Sequence, residues 1–253
     1  MSLISEEMHA RLRAVDPDRY RSALLAELQM RDRLMVFYAF HSELAKIPEL
    51  VSETMIGDIR YQWWRDVVEE IYSGGTVRSH EVATPLTAIL RESQVPRFWV
   101  DRLIDGRARD LDPTPFVNID AAQDYARQTS GVLMQIAAYV LDPDFDGEAA
   151  LQAGQAWGMT GLARAYRYYH SGMLSQLAFD DILKASQADY VQARTRTGTI
   201  PSSVMPALAY AATVPKFLKR FRAKGFDAKT QEISYAPPLK QIRMTWAALR
   251  GRI

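Results

Sequence analysis

Two groups of carboxylates are the side chains on this chain best suited to chemistry. Glu43, Glu49, Glu53, Asp58 and Asp66 fall in one stretch, and Asp101, Asp105, Asp110 and Asp112 in another. Acids three or four residues apart share a helix face, and two such faces set opposite each other would hold a hard, oxygen-seeking cation such as magnesium. Asp101 and Asp105 meet that spacing. Glu49 and Glu53 are also four apart, but Pro48 interrupts the helix that would align them. Arg60, Arg65, Arg102 and Arg107 are interspersed among these acids. The expectation is therefore solvated or ion-paired carboxylates and no metal site.

Other reactive groups are scarce. The chain has no cysteine, which removes thiol nucleophiles, zinc–thiolate sites and disulfides. His9, His41, His80 and His170 are scattered and lack the paired spacing of metal ligands. No glycine-rich phosphate loop, serine elbow or nucleic-acid motif is present. A formal net charge of +1 over 253 residues gives no global field to draw nucleic acid. Two segments, 216–224 and 240–253, are basic and amphipathic. Such segments serve as solvated helix faces or as contacts with an anionic membrane surface. Trp63 and Trp64 are adjacent, so on a helix one can be core and the other rim.

The elements that must position these groups read as helices throughout. With 48% hydrophobic and 24% charged residues the composition is ordinary for a globular protein. Asp16-Pro17 signals a helix start. Apolar residues from Tyr20 to Leu44 then recur at three- and four-residue steps, predicting one helix up to Pro48. Ser52 is expected to cap a second helix, running to about Tyr72, that turns Ile56, Ile59, Trp63, Val67 and Ile71 inward. Further helices are predicted over 85–93, 97–109, 118–140, 148–170, 180–194, 204–221 and from Pro237 to Leu249, with Pro206 and Pro215 starting or kinking pieces of the 204–221 segment. No segment alternates as a strand would, and no linker divides the chain. Residues 1–253 are expected to form one domain. The first twenty residues lack an apolar run and carry Glu6, Glu7, Asp16 and Asp18, unlike a signal or transit peptide. The expected location is cytoplasmic, with peripheral contact at the inner membrane.

Several segments, in order, resemble the squalene/phytoene synthase family. They are Phe37 to Glu49, Gln62-Trp-Trp-Arg-Asp66, Leu103 to Leu111, Tyr125 to Gly131 and Gly154 to Arg164. The resemblance implies an all-α, isoprenoid-synthase-type helical bundle around a central apolar cavity. It also implies prenyl diphosphate chemistry, in which magnesium bridges aspartates on two facing helices to diphosphate oxygens. This chain departs from that pattern. The first acidic motif would fall on Ala45, Lys46 and Glu49, where only Glu49 keeps a carboxylate. The second would fall on Gly161, Ala165, Tyr168 and Tyr169, where none does. Lys46 is expected to put a positive charge where a cation would sit, and Tyr168 and Tyr169 to fill the vacated space. Arg164, with Arg65, Arg107 and Arg109, would be the candidates to hold an anionic head if the cavity takes a lipid or isoprenoid ligand.

The same pattern of losses resembles the branch of the family related to an assembly factor of respiratory complex I. What this implies is a protein without catalytic residues or cofactor, whose partners are complex I subunits or other assembly factors. The competing expectation is a magnesium-dependent prenyl transferase with an altered metal site.

Overall fold

Residues 3–233 and 235–253 are described by a computed structural model. The chain order is α1 (Glu6–Val15), α2 (Pro17–Ala23), α3 (Leu28–Ala45), α4 (Thr54–Tyr72), α5 (Ala83–Ser93), α6 (Arg97–Ala108), α7 (Ile119–Ala126), α8 (Val132–Leu141), α9 (Gly147–Tyr169), α10 (Phe179–Thr197), α11 (Met205–Leu208), α12 (Val214–Phe221) and α13 (Pro237–Arg250). Short 3-10 turns cover Ile47–Leu50, Arg109–Leu111 and Ala209–Thr213, and a π-helical turn over Arg127–Gly131 joins α7 to α8. Among the described residues there is no strand, and no helix is long and apolar enough to cross a membrane.

Helix ends follow local chemistry. The Asp16 carboxylate accepts the Arg19 backbone N–H at the start of α2, with Pro17 in the first turn. Asn118 caps α7 through Ala121 N–H, and Asp146 caps α9 through the N–H groups of Glu148 and Ala149. The single helix predicted from Pro17 to Pro48 is instead two, with a turn over 24–27. No proline or glycine marks that break. The Arg31 guanidinium donates to the carbonyls of Leu24 and Ala26 at 3.3 and 3.1 Å, satisfying groups that the end of α2 leaves open.

The second helix also differs from its predicted face. Ile56 and Ile59 are exposed, while Gly57, Tyr61, Trp64, Val68 and Ile71 are buried, at steps of three and four. A Cβ on Gly57 would stand 2.5 Å from Leu111 Cδ2, so the glycine is an inward position that hydrophobicity alone does not reveal. Glu53, not Ser52, sits at the cap position and makes no side-chain cap bond. Trp64 is buried and Trp63 half-buried, as adjacency on a helix predicts.

The centre of the molecule is α3 and α9. Every residue from Leu34 to His41 is buried, so α3 is core on all sides over two turns. α9 packs along α8, α10 and the π-helical turn. Its approach to that turn depends on glycine: a Cβ on Gly154 would lie 2.4 Å from the Ser130 carbonyl oxygen, and one on Gly158 would lie 2.9 Å from Ala126 Cβ. The next glycine, Gly161, faces open space, with nothing within 4 Å of a built Cβ. That space is the cavity.

Candidate functional site

The cavity has a volume of about 570 Å³. It lies where the C-terminal ends of α3, α6 and α9 meet the π-helical turn, with Arg19 entering from α2. A π-turn inserts an extra residue into a helix and re-aims its side chains. Here it brings Thr129 and Ser130 to the cavity wall.

Arg107 organises one side. Its Nε and Nη2 point at His41 Nε2, at 3.1 and 2.7 Å. Its Nη1 donates to Asp110 Oδ2 at 3.0 Å and to the Tyr125 oxygen at 2.9 Å, while the Tyr125 hydroxyl donates to Asp110 Oδ1 at 2.6 Å. The Tyr61 hydroxyl lies between the carbonyls of Leu44 and Arg107, 2.9 and 2.8 Å away, and ties the end of α3 to the end of α6. A guanidinium has only donors, so His41 Nε2 must be an acceptor and the ring neutral. The electrostatics agree: burial first, then Arg107 and Arg19, push the His41 pKa well below its usual 6.5. Burial works against the charge on Arg107, but Tyr125 and Asp110 outweigh it and hold its pKa above the usual value.

Arg19 is the second buried cation. Its Nη1 pairs with Asp16 at 2.7 Å, its Nη2 donates to Ser130 Oγ at 3.2 Å and its Nε reaches the Tyr210 hydroxyl at 3.4 Å. The guanidinium also lies over the Tyr210 ring. Nothing local in the sequence marks Arg19, because its partners Ser130 and Tyr210 are 111 and 191 residues away.

The positions singled out in the sequence separate. Ala45, Glu49, Gly161, Ala165 and Tyr169 line the cavity together with Arg107. Lys46 does not: its ammonium turns back onto Glu43 at 2.5 Å and borders a different groove with Trp63 and His80. Tyr168 projects away, 62% exposed, under the Arg167 guanidinium. Tyr169, at 45%, is a rim residue. The tyrosines thus leave the cavity open, because adjacent residues at the last turn of α9 diverge and only one can face inward. Three of the four candidate arginines are engaged elsewhere. Arg65 pairs with Asp105 at 2.9 Å, and Arg109 binds the carbonyls of Asp112 and Thr114. Arg164 lies 3.5 Å from buried Asp18 and stacks over Trp157 and Phe217.

Magnesium fits this donor set poorly. Asp110 is consumed by Arg107 and Tyr125, and Glu49 is exposed at the mouth. The facing wall of α9 offers Trp157, Gly158, Gly161, Leu162 and Ala165, with the phenol of Tyr169 at the rim and no carboxylate. Two guanidiniums add positive charge where a cation site needs negative. Among the described residues, no three His, Asp or Glu side chains cluster closely enough to hold a metal ion. What the arrangement can do is orient hydrogen bonds toward a small polar or anionic group.

Similarity to known proteins bears on the fold. Residues 12–174 match the family described as squalene/phytoene synthase. A dehydrosqualene synthase crystallised with a ligand superposes with a TM-score of 0.76 at 12% identity, over 95% of this chain and 94% of that one. A squalene synthase from Alicyclobacillus acidocaldarius gives 0.70 at 15% identity, over 85% and 92%. At those identities the likeness concerns the fold. Several relatives carry the name NADH dehydrogenase (ubiquinone) complex I, assembly factor 6. The Bos taurus protein is 28% identical over 85% of this chain and 73% of its own length, and the Homo sapiens protein 27% over the same shares. A Dictyostelium discoideum homolog of that factor is 19% identical over 92% of this chain and 74% of its own length. By the matched profile, which spans more than half of the sequence, and by the all-helical architecture, this chain belongs to the squalene/phytoene synthase family.

Proposed function

We propose that this chain is a non-catalytic member of the family that supports assembly of the respiratory NADH–quinone oxidoreductase through protein contacts. The observation that carries the non-catalytic half is the disarmed cavity. One inner carboxylate, Asp110, is neutralised by Arg107, and the opposite wall carries no carboxylate. The assembly half is supported by relatives named as complex I assembly factors that align over most of this chain. Family fold by itself would support many functions. Its place of action would be the membrane face where that oxidoreductase is built.

Deleting the gene in its source cells and resolving membrane complexes on native gels tests this. The expected result is loss of fully assembled NADH–quinone oxidoreductase, restored equally by the parent chain and by Glu49→Gln. Normal amounts of the assembled complex in the deletion strain would overturn the assembly role. Failure of Glu49→Gln alone would point to chemistry at the cavity mouth.

A further inference from the structure

The C-terminal helix carries a face that the fold does not use. α13 buries Lys240, Met244 and Ala247. Leu239, Ile242, Trp246 and Leu249 are exposed, Leu249 to 76% and Trp246 to 52%. At 3.6 residues per turn these four fall within an arc of about 80°, a single stripe about 15 Å long. The helix contains no acidic residue.

Beside the stripe lies a cleft of about 690 Å³, between α10, the start of α12 and α13. Arg194, Arg243, Arg250 and Arg252 line it, and no aspartate or glutamate does. Among the described residues none of these four arginines makes an ion pair. About half of the arginines elsewhere are ion-paired, as Arg65, Arg97, Arg107, Arg127 and Arg196 are, but among the described residues no other cleft gathers four that are not. The Arg250 guanidinium sits over the Trp246 ring, 4.3 Å from its centroid, where the stripe meets the cleft. Arg243 is fixed by donating to the Ala212 carbonyl.

We propose that this face docks on an anionic phospholipid surface, with lipid phosphates entering the arginine cleft and the α13 stripe entering the headgroup–acyl boundary. Both halves of the chemistry match one occupant. Unpaired guanidiniums suit phosphate oxygens, and a single apolar helix face edged by tryptophan and arginine suits insertion parallel to the membrane plane. A stable protein interface takes about 800 Å² from each side, more than four part-exposed side chains supply. The inference is independent of whether the cavity is catalytic and of any role in assembly.

Flotation of the full chain with vesicles tests it, comparing phosphatidylcholine alone with an equal mixture of phosphatidylcholine and phosphatidylglycerol. The expected result is strong binding to the mixed vesicles only, weakening as salt rises. At about fivefold per arginine near the surface, the Arg250→Gln/Arg252→Gln variant should bind those vesicles roughly 25-fold more weakly. Ile242→Ser/Leu249→Ser should weaken binding at least as much while its circular dichroism is unchanged, since both side chains are exposed. Equal binding to both vesicle types, or parent-like binding by both variants, would overturn the proposal. So would a chain that ignores vesicles and holds an acidic protein instead.

Discussion

Arg107 determines what the cavity can do. One guanidinium satisfies His41, Asp110 and Tyr125 together, so the site's best-placed carboxylate is already neutralised and its imidazole is locked as an acceptor. This has a consequence for acid stability. The folded-state pKa of His41 lies well below 6.5, so on acidification the unfolded chain takes up the proton first. Stability then falls as pH drops through about 6.5 and continues to fall down to the folded value, by up to about 1.4 kcal/mol per pH unit from this one group. His41→Gln keeps an acceptor near the Nε2 position and cannot titrate. Urea unfolding should show the parent losing more stability than this variant between neutral and mildly acidic pH; parallel losses would contradict the buried neutral histidine. The sequence offers His41 no paired metal-ligand spacing, and the structure packs it and hydrogen-bonds it instead. Its partner is not legible there, because Arg107 is 66 residues away.

At the scale of elements, α9 and the π-helical turn set the shape of the site. Gly154 and Gly158 let the two backbones touch, and Gly161, one turn on, leaves the cavity its volume. Gly154→Ala would drive a methyl into the Ser130 carbonyl and the Gly131 Cα, both backbone. It should cost about 2 kcal/mol or more, in the range of overpacked cores. Gly161→Ala meets nothing and should be neutral or stabilise by up to about 1 kcal/mol, the helix-propensity gain. Denaturant midpoints of the two variants check this, and comparable losses in both would refute the difference in environment. Periodicity, capping residues and prolines made most helices legible in the sequence, α9 and α13 nearly to the residue. The break between α2 and α3 was not legible, since its carbonyls are satisfied by the Arg31 side chain from the next helix and no breaker residue marks it. Nor was the inward face of α4, where a glycine under Leu111 replaces an apolar signal.

For the molecule as a whole, the degenerate motifs were visible in the sequence, but where each replacement would point was not. Ala45, Gly161 and Ala165 do face the cavity. Lys46 and Tyr168 turn away from it, Lys46 onto Glu43 one turn back and Tyr168 under the neighbouring Arg167. The chain closes on itself through a buried Asp18–Lys240 pair at 2.7 Å, which fastens α13 to α2. That contact fixes the arginine cleft and its apolar stripe relative to the cavity bundle. In the proposed reading the chain is a synthase-type scaffold with an inner chamber whose walls do not set carboxylates face to face, and with an outer surface that carries the arginine cleft. Incubation of the purified chain with farnesyl diphosphate and magnesium, followed by measurement of released diphosphate, tests the central claim most directly. The expected rate is that of substrate and magnesium alone. Protein-dependent release of diphosphate that is abolished by Glu49→Gln would contradict it.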